Sequence, residues 1–153
     1  MKIKTSTYAP LYVFVYVVLM ALHSFSILAK LPKAKGLMDA QIYDLSRHAN
    51  REALFIFFGP NCSACLAQRK SLSCLPKSTA IYFIGMNGTE RELRREAHKL
   101  SGKNITFLIA DDEVKRFFKV KDNITPQIVT LRDGQKKRFV GFQTCLKLLT
   151  QEG

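Results

Sequence analysis

Six consecutive apolar residues, Ala53-Leu54-Phe55-Ile56-Phe57-Phe58, run into Gly59-Pro60-Asn61 and then Cys62-Ser63-Ala64-Cys65. A continuous apolar run of this length, closed by a turn signal, reads as a strand covered on both faces. The segment that follows, Leu66-Ala67-Gln68-Arg69-Lys70-Ser71-Leu72, is helix-forming. A CxxC at a strand-to-helix junction places its first thiol where the N–H groups of a helix N-terminus point at it. That field stabilises a thiolate and lowers its pKa. A second thiol one turn on can resolve a mixed disulfide. The motif therefore points to dithiol–disulfide exchange.

With 153 residues, the chain has room for one compact domain and some extra. Hydrophobic residues at 47% and charged residues at 24% are ordinary globular values and exclude a disordered chain. The formal net charge of +12 invites an acidic partner, a nucleic acid or an anionic surface. The basic residues are scattered, however, and Lys136-Lys137-Arg138 is the one run of three. It follows Asp133-Gly134, as the exposed strand of a hairpin would. The charge reads as a solvated basic surface, with no nucleic-acid role. Four cysteines are too few for a disulfide-stapled miniature fold.

Residues 1–29 stand apart from the domain. Met1-Lys2-Ile3-Lys4 is a short basic start, no residue from Thr5 to Ala29 is charged, and Leu11–Leu22 is an unbroken apolar core. That core has the length of a signal-peptide h-region, and Ser24 and Ser26 fit a cleavage site before Ile27. Counted generously, the stretch reaches about twenty residues and could span a bilayer as an uncleaved anchor. Lysines flank both ends, so loop charge does not choose between the two. Either form exports the CxxC to a compartment where dithiols meet disulfides. Four Asn-x-Ser/Thr triplets occur, at Asn61, Asn87, Asn104 and Asn123. Glycans at the first or last would crowd the presumed site, which favours a bacterial periplasm over a eukaryotic secretory route.

Residues 30–37, with Pro32 and Gly36, read as a linker. Met38, Ile42, Leu45 and Ala49 recur at helical spacing and predict a helix opening a domain over residues 38–153. Ala80–Ile84 is a second strand. Thr89 and Glu92 have capping-box spacing ahead of a helix carrying Leu93, Ala97 and Leu100. Ile105–Ala110 is a third strand, and Asp111/Asp112 open a short helix with Val114, Phe117 and Phe118 inward. Gln127–Leu131, the Asp133-Gly134 turn and Gln135–Phe142 make an antiparallel hairpin, and Phe142–Leu149 closes as a helix. The order α-β-α-β-α-β-α-β-β-α predicts a mixed α/β sheet of about five strands with helices on both faces.

That order, with CxxC after the first buried strand and Thr125-Pro126 before a late hairpin, resembles the thioredoxin-like fold. Asp111, Phe118-Lys119-Val120, Thr125-Pro126-Gln127-Ile128-Val129, Arg132-Asp133-Gly134 and Gly141 look like the exported TlpA/DsbE-like branch, which includes membrane-tethered reductases serving cytochrome c maturation. The resemblance covers residues 38–153. It implies Cys62 as the attacking thiol, Cys65 as the buried resolving thiol, a Cys62–Cys65 disulfide in the oxidised form, and Pro126 as a cis proline beside it. A proline there fixes the loop and leaves Thr125 backbone groups to pair with a substrate strand. The chain also departs from the pattern. Asn61 stands where the family has Trp, Ile56 where thioredoxins bury an acid, and Gln68 where the maturation reductases carry Glu. With neither acid, proton removal from Cys65 falls to water or to the substrate.

The expected activity is an exported thiol–disulfide oxidoreductase, favoured as a reductase, acting on protein thiols and disulfides. A membrane or periplasmic redox partner would reset it. No organic cofactor is implied, because the electrons pass between sulfurs, and no metal site is expected. A structural disulfide or half of a zinc site competes for the CxxC, but there is no second CxxC, and His23, His48 and His98 are far apart. Soft thiolates suit Cu(I), so a copper-binding or redox-inert assembly module is the alternative. Cys74 and Cys145 read first as buried apolar groups, with a second disulfide or a redox relay as alternatives. His48 and His98 read as exposed helix residues and the Phe117/Phe118 pair as core.

Overall fold

A computed structural model describes residues 31–48, 51–102 and 104–150. The leader or anchor expected over residues 1–29 lies outside them. The described chain forms β1 (Lys33–Gly36), β2 (Ile42–Asp44), a 3-10 turn (Leu45–His48), β3 (Ala53–Phe58), α1 (Ser63–Ser71), a second 3-10 turn (Leu72–Cys74), β4 (Ala80–Gly85) and α2 (Glu90–Leu100). Then come β5 (Ile105–Ile109), α3 (Asp112–Phe118), β6 (Gln127–Arg132), β7 (Gln135–Val140) and α4 (Cys145–Thr150). Seven strands join one mixed sheet in the order β2-β1-β5-β4-β3-β6-β7, where about five had been expected.

The two extra strands come from the stretch read as linker and helix. β1 buries Ala34 and Gly36 while exposing Lys33 and Lys35, an alternation too short to register as a strand by eye. It pairs antiparallel with β2 and with β5, Gly36 lying opposite Leu108. The predicted helix over 38–51 is defeated locally. Asp39 accepts the Gln41 N–H through Oδ1 at 3.1 Å, an Asx-type turn that competes with helical pairing. Ala40 sits at φ 58°, and Ile42 and Met38 face outward. Gly36 leaves room for the hairpin's side chains: a Cβ there would lie 2.0 Å from Asp39 Oδ1, and that side chain would have to shift.

β3 runs through the middle. Its alternate side chains feed two cores, as a strand covered on both faces must. Ala53, Phe55 and Phe57 join Tyr82, Ile84, Leu108, Val129 and α3's Val114 and Phe118. Leu54, Ile56 and Phe58 join Phe83 of β4 and Cys65, Leu93, Ala97 and Leu148 from α1, α2 and α4. Helices thus cover both faces, as expected. The capping box forms: Thr89 Oγ1 accepts from Glu92 N, and Glu92 Oε2 accepts from Thr89 N at 2.9 Å. Asp133 and Gly134, at φ 50° and 74°, make the β6–β7 turn with both central residues left-handed.

Topology then places the site. β3 pairs parallel with β4 on one side and antiparallel with β6 on the other. The C-terminal end of β3 therefore meets the N-terminal end of β6, with Phe57 opposite Gln127. This is a switch point in strand direction at the sheet's centre, where open α/β sheets form their clefts.

Candidate active site

Gly59-Pro60-Asn61 turns the chain from β3 into α1. Asn61 takes φ 58°, a left-handed conformation its short polar side chain tolerates better than most. The turn sets Cys62 as the N-cap of α1, where Sγ accepts the Cys65 N–H at 3.2 Å. Its carbonyl takes the first helical bonds, from Cys65 N at 3.1 Å and Leu66 N at 3.4 Å. A sulfur so placed sits on the positive end of the helix dipole, with no acidic residue in the first turn to oppose it. Cys62 and Cys65 form a disulfide with Cα atoms 5.2 Å apart. Cys62 is half-buried and Cys65 is fully buried. Only the first sulfur is open to an incoming partner.

The Thr125–Pro126 peptide is cis. Thr125 lies against the cysteine turn: a Cβ built on Gly59 would be 3.6 Å from its methyl group. Pro126 is buried, and its carbonyl accepts the Gly141 N–H at 2.8 Å. The loop is held from behind by Gln127, whose side chain is fully buried. Gln127 Oε1 accepts from Lys121 N at 2.9 Å, and Nε2 donates to Lys121 O at 2.6 Å and Ile124 O at 2.8 Å. The cysteine turn and the Thr125–Pro126 loop thus lie at the same end of the sheet, adjoining at Gly59 and Thr125.

No protein-family profile matches the chain. Nor does any curated protein sequence. Solved structures do. MTB DsbF, in mixed oxidised and reduced forms, superposes with a TM-score of 0.67 at 18% identity, over 81% of this chain and 94% of that one. The fold is thioredoxin-like. A secreted Mycobacterium tuberculosis disulfide oxidoreductase homologous to E. coli DsbE gives 0.62 at 20% identity, over 82% and 93%. An exposed lipoprotein thioredoxin of Streptococcus pneumoniae gives 0.62 at 18%, over 78% and 96%.

Two expectations about this thioredoxin-like domain need correction. Cys74 and Cys145 are not free buried thiols: they form a second disulfide, with Cα atoms 6.3 Å apart and Cys74 exposed. Connectivity of this kind leaves no mark in spacing, because the partners lie 71 residues apart. His48 is not a solvated helix residue. It is half-buried at the foot of β4, its Nε2 2.5 Å from the Tyr82 hydroxyl. Burial lowers its pKa, and Arg51 and Arg47 push the same way. His98 is exposed as expected, and Phe118 is core with Phe117 packed against it. Sequence reasoning placed Gln127 in a strand and in the family pattern without a side-chain role, and passed over Gln143. A glutamine beside apolar residues carries no signal of what backbone it will meet.

Among the described residues, no group of three or more His, Cys, Asp or Glu side chains is gathered as a metal would require. No described helix is long and apolar enough to cross a membrane.

Proposed function

We propose that this protein is an exported thiol–disulfide oxidoreductase, working outside the cytoplasm as a reductase of disulfides in other proteins. The observation that carries this is the half-buried Cys62 at the N-cap of α1, backed by a buried Cys65, with Thr125 of the Thr125–Pro126 loop against Gly59 in the turn that leads to it. In the dithiol form, the Cys62 thiolate attacks one sulfur of a substrate disulfide. A Cys62–substrate disulfide forms, the substrate S–S bond breaks, and the released substrate sulfur takes a proton. Cys65 then loses its proton and attacks Cys62 Sγ. The Cys62–Cys65 disulfide forms and the second substrate thiol departs, completing a two-electron reduction. Thr125 and Pro126 hold the substrate backbone as an added extended strand.

A membrane or periplasmic dithiol partner returns the enzyme to its reduced form. Export is supported by the basic and apolar leader over residues 1–29, cleaved or retained as an anchor. The secreted oxidoreductase and the exposed lipoprotein among the similar structures support the same placement. The Ser63-Ala64 dipeptide contains neither His nor Pro and so gives no sign of a strong oxidant; the reduction potential decides the direction of transfer.

The test is trapping. Cys65→Ser should accumulate mixed disulfides through Cys62 when expressed with its leader, and Cys62→Ser should accumulate none. A Cys65→Ser protein that captures no partner would count against exchange. A reduction potential near about −270 mV fits the reductase, whereas one near about −120 mV would reverse the direction.

A further inference from the structure

Gln68 lies three residues after Cys65, on the same face of α1, and is fully buried. An amide offers two donors and one acceptor group, and here both kinds are used. Gln68 Nε2 donates to Gln143 O at 3.1 Å and to Ser71 Oγ at 2.9 Å. Its Oε1 accepts from Gln143 N at 2.7 Å. Gln68 thus pairs both ways with the backbone of one residue, as a neighbouring strand would.

Gln143 is itself buried and turns back along its own chain. Its Nε2 donates to Val140 O at 3.0 Å and Gly141 O at 3.3 Å. Gly141 N in turn donates to Pro126 O at 2.8 Å. The path from the cysteine helix to the proline loop is therefore continuous: α1, Gln68, Gln143, Gly141, Pro126. Burying two amides has a desolvation cost that an aliphatic pair would avoid, and it is tolerable only where every member is satisfied. The Cys74–Cys145 disulfide already ties the turn after α1 to the start of α4. What the glutamines add lies nearer the site.

We infer that Gln68 is a positioning residue, which sets the Thr125–Pro126 loop against the Cys62–Cys65 pair through Gln143 and Gly141. The inference rests on the exchange reading above. It also accounts for the missing acid at position 68. An ionised carboxylate there would face the Gln143 carbonyl and could not return the two donor bonds that Nε2 supplies. The same amide leaves Cys65 without a proton acceptor one turn below it.

Two probes separate loop positioning from thiol chemistry. Insulin must lay its backbone along the loop, whereas 5,5′-dithiobis(2-nitrobenzoate) needs only the sulfur. Gln68→Leu keeps the volume and removes the bonds. With a net value near 1 kcal/mol per bond, it should raise the KM for insulin roughly fivefold or more. The kcat for insulin and the rate with the small disulfide should change less than about twofold. Gln143→Ala cuts the link to Val140 and Gly141 while leaving the Gln143 backbone to Gln68. It should raise the same KM, and the double variant should add little beyond the larger single effect. An unchanged insulin KM in a folded Gln68→Leu protein would overturn the inference, as would parallel losses with both probes. Should Gln68→Leu not fold, an unchanged KM in Gln143→Ala is decisive against it. A wild-type protein inert to both probes removes the exchange reading first, a failure distinct from these.

Discussion

Position 68 shows how one side chain can decide the chemistry of its surroundings. Replacing Gln68 by Glu keeps the shape but leaves a buried carboxyl facing the Gln143 carbonyl. Burial and that carbonyl both disfavour the charged form, so the folded pKa of the new acid should rise above its unfolded value near about 4.3. A raised folded pKa gives stability that is present below the unfolded value and lost as pH climbs through the folded one. Thermal unfolding of Gln68→Glu should therefore trail wild type little near pH 4.5 and by a widening margin toward pH 8. A gap independent of pH would mean the carboxyl is solvated. His48 runs in the opposite sense. Its pKa is lowered by burial first and by Arg51 and Arg47 next, so its neutral form is the one that fits beside Tyr82. The stability this provides is present above about pH 6.5 and is lost as pH falls through the depressed value. Between pH 7.5 and 5.5, His48→Gln should lose less melting temperature than wild type does; an equal loss would place the titration elsewhere.

Among the elements, α2 and the second disulfide divide what was legible from what was not. The Thr89–Glu92 spacing announced a capping box, and the structure closes it in both directions. Thr89→Ala should cost about 1 kcal/mol in urea unfolding with little change in m-value. The β3 run, the Asp133-Gly134 turn and the cysteine and proline motifs were equally readable, because each is written in adjacent residues. The Cys74–Cys145 bridge is not written anywhere locally. It joins the turn after α1 to the first residue of α4, and only the fold brings them to a Cα distance of 6.3 Å. The Gln68–Gln143 and Gln127 bonds are hidden for the same reason, since an amide's partner is set by where a remote loop arrives. Cys74→Ser with Cys145→Ser opens a long loop in the unfolded chain and should lower stability by about 2–4 kcal/mol. Insulin reduction should survive at temperatures where the variant remains folded. Loss of activity without loss of structure would instead make this bridge part of the electron path.

For the whole molecule, the boundary of the folding unit is where the structure departs from the sequence reading, and the difference has a measurable consequence. A domain starting at residue 38 discards a segment that looked like linker because it holds Pro32, Gly36 and two exposed lysines. The compact unit begins at Leu31. Leu31, Ala34 and Leu37 are 4%, 1% and 0% exposed, and β1 covers the edge of β5 that would otherwise be open. Removing them takes residues from both cores: Leu31 and Ala34 belong to the core that holds Phe55 and Phe118, and Leu37 to the core that holds Phe83 and Phe107. It also leaves β2 with no sheet neighbour, since β1 is its pairing strand. At about 1.5–3 kcal/mol for each large apolar side chain returned to water, losing the two leucines alone removes about 3–6 kcal/mol, a large share of the roughly 5–15 kcal/mol typical of a folded protein. A protein spanning residues 31–153 should therefore unfold cooperatively in urea. One spanning 38–153 should unfold at much lower urea or aggregate through the uncovered β5 edge. Equal midpoints for the two would show that β1 is an appendage and that the five-strand sheet read from the sequence is the true folding unit.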